Sequence, residues 1–128
     1  LDTVMKGNFH FDFGDAIRTI VNTAPEDEQE HDKITFKKPL FEAFIDGIAS
    51  NKAFLSQEEI NALPLGAILM PFLHGIRALT DYLNDNIYYK VAYENQNLDR
   101  SRSLFDFTQK ALQNLDFMQK VISEKLKA

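Results

Sequence analysis

Apolar residues recur every three or four positions along most of the chain, the spacing that places them on one face of an α-helix. The pattern predicts a first helix over about 13–22, capped by Asp12, and a second that begins near Pro39. The run Ser56-Gln57-Glu58-Glu59 has the sequence of a capping box, so we expect a short helix from there to about Ala62.

The longest apolar stripes lie in the second half of the chain. The first follows Pro64 and contains Leu69, Phe72, Leu73, Ile76, Leu79, Thr80 and Leu83. Pro71 lies inside this stripe and predicts either a kink or a later start of the helix. After a turn at Asn84-Asp85-Asn86, a last long helix is expected with Asp99 or Ser101 as its cap. Its stripe consists of Leu104, Phe107, Ala111, Leu115, Met118 and Ile122.

The remaining segments show no clear helical period. Residues 1–11 are interpreted as a strand end and loop, residues 24–36 as an acidic linker loop (the acidic segment), and the period of residues 87–93 is ambiguous. We therefore expect one all-α unit over residues 1–128, with about four to six helices after a short non-helical entry. A composition of 45% hydrophobic and 26% charged residues is ordinary for a single globular domain.

Charge and residue usage narrow the class of protein. Fourteen basic against 19 acidic residues give a net charge of −5, which argues against nucleic acid or an anionic membrane as partner. Five of the acids belong to the acidic segment, interpreted as a solvated loop, with a cation or basic-partner site as the alternative. The absence of Cys excludes disulfides and thiolate metal sites. No apolar run approaches a membrane span and no signal peptide is visible, so a cytoplasmic protein is expected.

Few residues point to chemistry by themselves. The run Asp12-Phe13-Gly14 matches a magnesium-binding motif of protein kinases, but no catalytic loop precedes it, so Asp12 is expected to be a helix cap or a buried structural carboxylate. The histidines His10, His31 and His74 lack metal-ligand spacing, and no glycine-rich phosphate loop is present. We therefore predict no catalytic residue and no metal ligand in this chain.

Arg77 is the most suggestive polar residue because it lies within an apolar stripe. It can pair with Asp81, four residues further along the same helix. Alternatively, its planar guanidinium can donate hydrogen bonds into a pocket. The neighbouring tyrosines Tyr88 and Tyr89 would then offer a stacking platform for a sugar.

A series of short motifs extends over nearly the whole chain. They are Leu1-Asp2-Thr3-Val4-Met5 with Gly7, Phe11-Asp12-Phe13-Gly14-Asp15-Ala16-Ile17-Arg18, the acidic residues 25–28, Leu63-Pro64-Leu65-Gly66-Ala67, Gly75-Ile76-Arg77-Ala78-Leu79-Thr80-Asp81-Tyr82-Leu83, Tyr88-Tyr89-Lys90, and Asn97-Leu98-Asp99-Arg100-Ser101-Arg102. As an ordered set they resemble the aminoglycoside phosphotransferase and choline kinase superfamily, most closely its N-acetylhexosamine 1-kinase branch. Lys6, Pro71 and His74 depart from the family pattern.

The resemblance implies that the chain is the C-terminal part of a protein-kinase-like C-lobe. The catalytic aspartate, the metal-binding aspartate and the nucleotide-binding lobe would precede Leu1, where the chain opens without an initiator Met. ATP and magnesium are then cofactors of the parent enzyme, and neither is expected to bind this chain alone. Asp12 would support the active site, while Arg77 and Tyr88 would contact the sugar or amino-sugar substrate.

Two functions therefore remain open. The first is the substrate-side segment of an ATP-dependent sugar or amino-sugar kinase, inactive by itself and completed by a missing N-terminal lobe. The second is a free-standing helical interaction or dimerisation module, whose partner would be a second copy. Relatives of this branch are sometimes labelled mucin-desulfating proteins, but the chain contains no sulfatase motif.

Overall fold

A computed structural model describes residues 7–51 and 54–126. This part of the chain forms five α-helices and one short 3₁₀ helix, without a β-strand, which confirms the expected all-α class. The helices are α1 (Phe9–Ile20), α2 (Lys38–Ala49), α3 (Gln57–Leu83), α4 (Gln96–Gln113) and α5 (Leu115–Lys125), with the 3₁₀ helix at His31–Lys33. The central helix is α3, which packs against α1 and α4.

Helix α3 begins at the predicted capping box. The Glu59 amide donates to the Ser56 hydroxyl over 3.1 Å, and the Ser56 amide donates to the Glu59 carboxylate over 3.0 Å. The Ser56 amide and then the Ser56 hydroxyl lower the pKa of Glu59 below its usual value. Each of these bonds satisfies a backbone or carboxylate group that the first helical turn leaves unpaired.

The expected break after Ala62 does not occur, because α3 continues through both Pro64 and Pro71. Each proline removes one helical hydrogen-bond donor, which ordinarily costs about 3 kcal/mol in a helix interior. Both proline rings are buried. Contacts with α1 and α4 therefore offset the local cost and preserve one helix, where the sequence predicts a short helix and a restart.

Two glycines allow α1 and α3 to cross at close range. A Cβ atom built on Gly14 would lie 2.0 Å from the Gly66 carbonyl oxygen. One built on Gly66 would lie 1.8 Å from the His10 carbonyl oxygen. Because both obstructing atoms belong to the backbone, no side-chain rotation can relieve either contact. The backbones meet here only because neither glycine carries a side chain.

The first helix starts earlier than the sequence predicts. Its N-cap position is Asn8, so residues 9–11 are helical and Asp12 lies within the first turn. The Asp12 side chain is exposed. Asp12 is thus neither the cap nor a buried carboxylate, and the predictions for both roles are wrong. The first six residues of the expected entry, including the motif over 1–5, lie outside the described residues.

The last predicted helix is divided into two. It starts at Gln96, before the expected caps Asp99 and Ser101, and a single non-helical residue, Asn114, separates α4 from α5. The side-chain amide of Asn114 donates to the Lys110 carbonyl over 2.8 Å and so satisfies one carbonyl at the end of α4. The break directs α5 towards α2, whereas α4 packs against α3.

Aromatic side chains from the first half of the chain pack in one core with aromatic side chains of α4 and α5. The Phe36 ring stacks on Phe107 with centroids 6.1 Å apart, and Phe41 lies within 6 Å of both Phe36 and Phe117. Phe41 and Phe107 are almost wholly buried. Aromatic pairs at these separations add to the stabilisation that burial itself provides.

The acidic segment is tied down along its length and is not a freely solvated loop, which corrects that interpretation. The Glu26 carboxylate lies 2.7 Å from an Arg18 nitrogen and 3.6 Å from Arg100 Nε. Asp27 accepts a hydrogen bond from the Gln96 side chain on α4. Ile34 near its end is completely buried. The segment therefore packs onto α1 and α4.

Among the described helices, α3 alone is long and apolar enough to cross a membrane by length and composition. The expectation that no apolar run approaches the length of a membrane span therefore does not hold for α3. A core helix of a water-soluble protein passes the same test, and α3 packs against two neighbours. The composition of α3 is thus weak evidence for a membrane span.

Candidate functional site

A pocket of about 460 Å³ lies beside the C-terminal half of α3. One wall is formed by Ile76, Arg77 and Thr80 of α3 with its C-cap Asn84, and the other by residues 87–89. Both predicted sugar-contacting residues, Arg77 and Tyr88, line it. The volume falls within the range of pockets that hold small organic ligands. The structure thus brings the two residues together, although eleven positions separate them in the sequence.

Arg77 is exposed and forms no ion pair or hydrogen bond with any other described residue. The predicted pair with Asp81 is absent, because that carboxylate is buried and bonded elsewhere. The guanidinium consequently keeps all its donors available to a ligand. Its planar geometry presents N–H donors in pairs, which can engage two acceptor oxygens of a ligand through parallel hydrogen bonds, as they do with carboxylates and phosphates.

Asp81 holds the second wall of the pocket in place. Its Oδ1 accepts the Tyr88 amide at 2.7 Å, and its Oδ2 accepts the Tyr89 amide at 2.9 Å and the Asn97 side chain at 2.8 Å. Burial raises the pKa of this carboxyl. These bonds, together with one from the Ile87 amide, lower the pKa by more than burial raises it, so the pKa lies below its usual value. Asp81 therefore remains an ionised positioning residue whose oxygens are already occupied.

A tight turn brings the second wall back towards α3. Asp85 and Asn86 adopt positive φ angles of 63° and 59°, a left-handed conformation that Asp and Asn tolerate better than most residues. The Asn86 amide donates to the Asp81 backbone carbonyl over 2.8 Å. The turn predicted at residues 84–86 is confirmed, and it reverses the chain so that residues 87–89 face the helix.

Asn97 and Arg100 support Asp81 from α4. Asn97 is completely buried, and its carbonyl oxygen accepts a hydrogen bond from Arg100 over 2.8 Å. That bond fixes the amide orientation in which the Asn97 nitrogen points at Asp81. The Arg100 guanidinium also lies 6.0 Å from the centre of the Tyr89 ring. The pocket wall is thus held by a chain of charged and polar groups from two helices.

The two tyrosines differ in exposure. Tyr88 is 81% exposed, while Tyr89 is half-buried beneath Arg100. Their rings meet edge to face, with centroids 4.8 Å apart. Tyr88 therefore presents an aromatic surface to solvent at the pocket mouth, and Tyr89 supports it from below. An exposed ring whose backbone amide is held by Asp81 is suited to contact with a ligand.

The remaining predicted site residue, Asp12, does not line this pocket. It forms no hydrogen bond or ion pair within the described part of the chain. The acid on α1 that does form contacts is Asp15, whose Oδ1 lies 2.8 Å from His74 Nε2 and 3.2 Å from Arg18 Nε. The support that the resemblance assigns to Asp12 thus stays a prediction.

No cation site can be assigned within the described residues. Across 7–51 and 54–126, no group of three or more His, Cys, Asp or Glu side chains could hold a metal ion. The Asp81 oxygens are occupied by N–H donors, as described above. Among the described residues, the groups that this pocket offers to a ligand are therefore the Arg77 guanidinium and the exposed Tyr88 ring.

Sequence reasoning missed Asp81 and Asn97 as the supports of the pocket. Asp81 lies four residues after Arg77, so the helical spacing predicts an ion pair between the two. That spacing gives no indication that Asp81 bonds to residues beyond the turn. The one available signal was the position of Asn97 within the last resemblance motif.

Compared with known protein families, the sequence matches no family model.

Proposed function

We propose that this pocket binds the acceptor sugar or amino sugar of an ATP-dependent kinase, of which the chain forms the substrate-side segment. The observation that carries the proposal is that one pocket holds the exposed Tyr88 ring beside the Arg77 guanidinium, which pairs with no other residue that the structure describes. A polar donor next to an exposed aromatic ring can recognise two sides of a sugar, its hydroxyl edge and its apolar C–H face.

The residues of this chain would bind and orient the acceptor. Arg77 would donate hydrogen bonds to ring or acetamido oxygens, and Tyr88 would cover one face of the ring. Asp81 would keep Tyr88 in position through the backbone amide that it accepts. In the complete enzyme, ATP and magnesium would supply the phosphoryl group and the charge neutralisation that its transfer requires.

Sugar binding can be tested by an NMR titration of the isotopically labelled chain with N-acetylglucosamine. We expect saturable shifts of the Tyr88 and Tyr89 amide signals, with millimolar affinity because this chain would form only part of the acceptor site. Arg77→Gln should weaken binding about tenfold or more, since it removes a charge-assisted hydrogen bond. Arg102→Gln, an exposed arginine on α4 outside this pocket, is the matched control and should bind like the wild type.

Two results would contradict the proposal. One is the absence of saturable shifts at residues 87–89. The other is an equal loss of affinity in Arg77→Gln and Arg102→Gln, which would indicate a non-specific charge effect. Separately, the purified chain should not transfer phosphate from ATP to N-acetylglucosamine. Phosphorylated sugar formed by this chain alone would show that it is not merely the substrate-side segment.

A further inference from the structure

The second wall of the pocket is held in place by side chains. In the part of the chain that the structure describes, residues 87–92 take part in no backbone–backbone hydrogen bond. Two of their amides donate to Asp81, and the Ala92 amide donates to the Gln96 side-chain oxygen over 2.7 Å. We call Asp81 and Gln96 the wall anchors. The position of the wall therefore depends on what holds these two side chains.

The acidic segment reaches the first anchor through α4. Glu26 Oε1 lies 3.6 Å from Arg100 Nε, and another Arg100 nitrogen donates to the Asn97 carbonyl oxygen over 2.8 Å. The Asn97 amide nitrogen donates to Asp81 over 2.8 Å and to Asn86, in the turn before the wall, over 3.1 Å. Since Asn97 is completely buried, the loss of its bond to Arg100 would leave its carbonyl oxygen unpaired and free its amide to reorient.

The neighbouring acid, Asp27, reaches the second anchor directly. Its Oδ2 accepts a hydrogen bond from the Gln96 side-chain amide over 3.1 Å and one from the Tyr93 hydroxyl over 3.2 Å. The same hydroxyl lies 2.9 Å from the Asp99 carboxylate. Burial and then the bond to Asp99 raise the pKa of Tyr93, so its hydroxyl keeps its proton at neutral pH. Asp27 thus fixes the side chain whose oxygen holds the Ala92 amide.

Glu26 is held in turn from α1. Its Oε2 lies 2.7 Å from an Arg18 nitrogen, and Arg18 Nε lies 3.2 Å from Asp15 Oδ1. The side chains of Arg18 and Arg100 are only 17% and 22% exposed. Salt screens partly buried charges less than it screens charges on the open surface. The acidic segment therefore connects α1 with the first wall anchor through a partly buried set of charges.

We infer that the acidic segment positions the second wall of the pocket and thereby sets the affinity of the pocket for its ligand. Glu26 and Asp27 are positioning residues, because neither lines the pocket and each acts through one wall anchor. The two routes reach the wall at separate points, residues 88–89 and Ala92, so together they restrict its movement away from α3. The identity of the ligand rests on the proposed function, whereas the position of the wall can be measured without a ligand.

Amide hydrogen exchange of the full chain, followed by NMR, measures how firmly the wall is held. In the double variant Glu26→Ala, Asp27→Ala, the Tyr88 and Tyr89 amides should exchange about fivefold faster than in the wild type, because both anchors lose a partly exposed polar contact. The Ser50 amide at the end of α2, which is bonded to a helix carbonyl, should keep its rate. Unchanged rates at the wall, or equal acceleration at Ser50, would overturn the inference.

The double variant Glu30→Ala, Asp32→Ala is the matched control. It removes the same charge from the same segment, but Glu30 pairs inside the segment with Lys33. Neither side chain bonds to α4 within the described residues. The wall amides should therefore exchange at the wild-type rate in this variant. Acceleration equal to that in the first double variant would indicate an effect of net charge alone and would overturn the inference.

The route through Arg100 is tested by combining substitutions. Arg100→Gln interrupts the connection between Glu26 and Asn97. Glu26→Ala should therefore accelerate exchange at the wall in the wild type but cause no further change in Arg100→Gln, since coupled residues have non-additive effects. Additive effects of the two substitutions would overturn the positioning role of Glu26.

Titration with N-acetylglucosamine separates this inference from the proposed function. The affinity should fall about fivefold in Glu26→Ala, Asp27→Ala and stay unchanged in Glu30→Ala, Asp32→Ala. Faster exchange at the wall, together with no sugar binding by the wild type, would refute the sugar pocket and support the positioning role. Sugar binding by the wild type, with unchanged exchange and affinity in the first double variant, would overturn the positioning role and support the sugar pocket.

Discussion

Substituting Gly66 by Ala should destabilise the fold because the α1–α3 crossing has no space for a methyl group. The new Cβ would lie 1.8 Å from the His10 carbonyl oxygen and 2.7 Å from its carbon. Both are backbone atoms, so the helices must separate by more than an ångström, which loosens Phe13 and Ile17 on the buried face of α1. Overpacking costs about 1–3 kcal/mol and occasionally more, and improved helix propensity returns about 1 kcal/mol. Because both obstructing atoms are backbone atoms, the cost falls at the upper end of that range, and we expect a net loss of about 2 kcal/mol.

Gly47→Ala provides the matched control. Gly47 also lies inside a helix, α2, but a Cβ atom there meets nothing within 4 Å. The same chemical change should therefore stabilise the protein by about 0.5–1 kcal/mol. Urea unfolding followed by circular dichroism measures both free energies of unfolding. If Gly66→Ala is as stable as the wild type, or shifts in the same direction as Gly47→Ala, the close crossing described here is incorrect.

Three further predictions concern single positions. Ser56→Ala should lower the free energy of unfolding by about 1 kcal/mol, because it removes the cap of α3, and an unchanged urea midpoint would contradict the capping box. Because the pKa of Asp81 lies below the ordinary 3.8, its contribution to stability is complete above that pH and is lost as the pH falls through the folded-state value. The Tyr88 amide signal should accordingly change only in this acid range, and Asp81→Asn should abolish that transition. Phe107→Ala should cost about 3–5 kcal/mol in urea unfolding, because Phe107 is 1% exposed. Phe54→Ala, at a residue that is 53% exposed and makes an edge contact with Phe9, should cost no more than about 1.5 kcal/mol, and similar losses in both variants would refute the assigned core.

Local signals in the sequence were sufficient to predict a structural feature where the residues that stabilise it lie only a few positions apart. The Ser56 capping box and the turn at residues 84–86 are of this kind, and both are present as predicted. The prolines of α3 show the limit of such signals. Their local effect favours a break, but the close approach of α1 at Gly66 and packing against α4 decide for one helix. That information lies about fifty residues away in the chain.

Periodicity also identifies which residues share a helix face without identifying what covers it. The stripe from Leu69 to Leu83 was predicted correctly as one face of a helix, yet much of that face points outwards. The small residues on the opposite face pack inwards because glycine and alanine permit close helix contacts. Similarly, Asp81 has the spacing of an ion pair with Arg77, but backbone amides beyond the turn compete more effectively for its oxygens.

The bonds of the acidic segment limit how its length can change. Glu26 lies between Arg18 and Arg100, Asp27 contacts α4, and the buried Ile34 anchors the far end. Surface loops ordinarily accept insertions because few of their contacts depend on register. Here one additional residue near Glu26 would displace either the carboxylate or Ile34, removing the Glu26 contacts of Arg18 and Arg100 or leaving a cavity in the core. This segment can therefore diverge by substitution at its exposed acids, but scarcely by insertion or deletion.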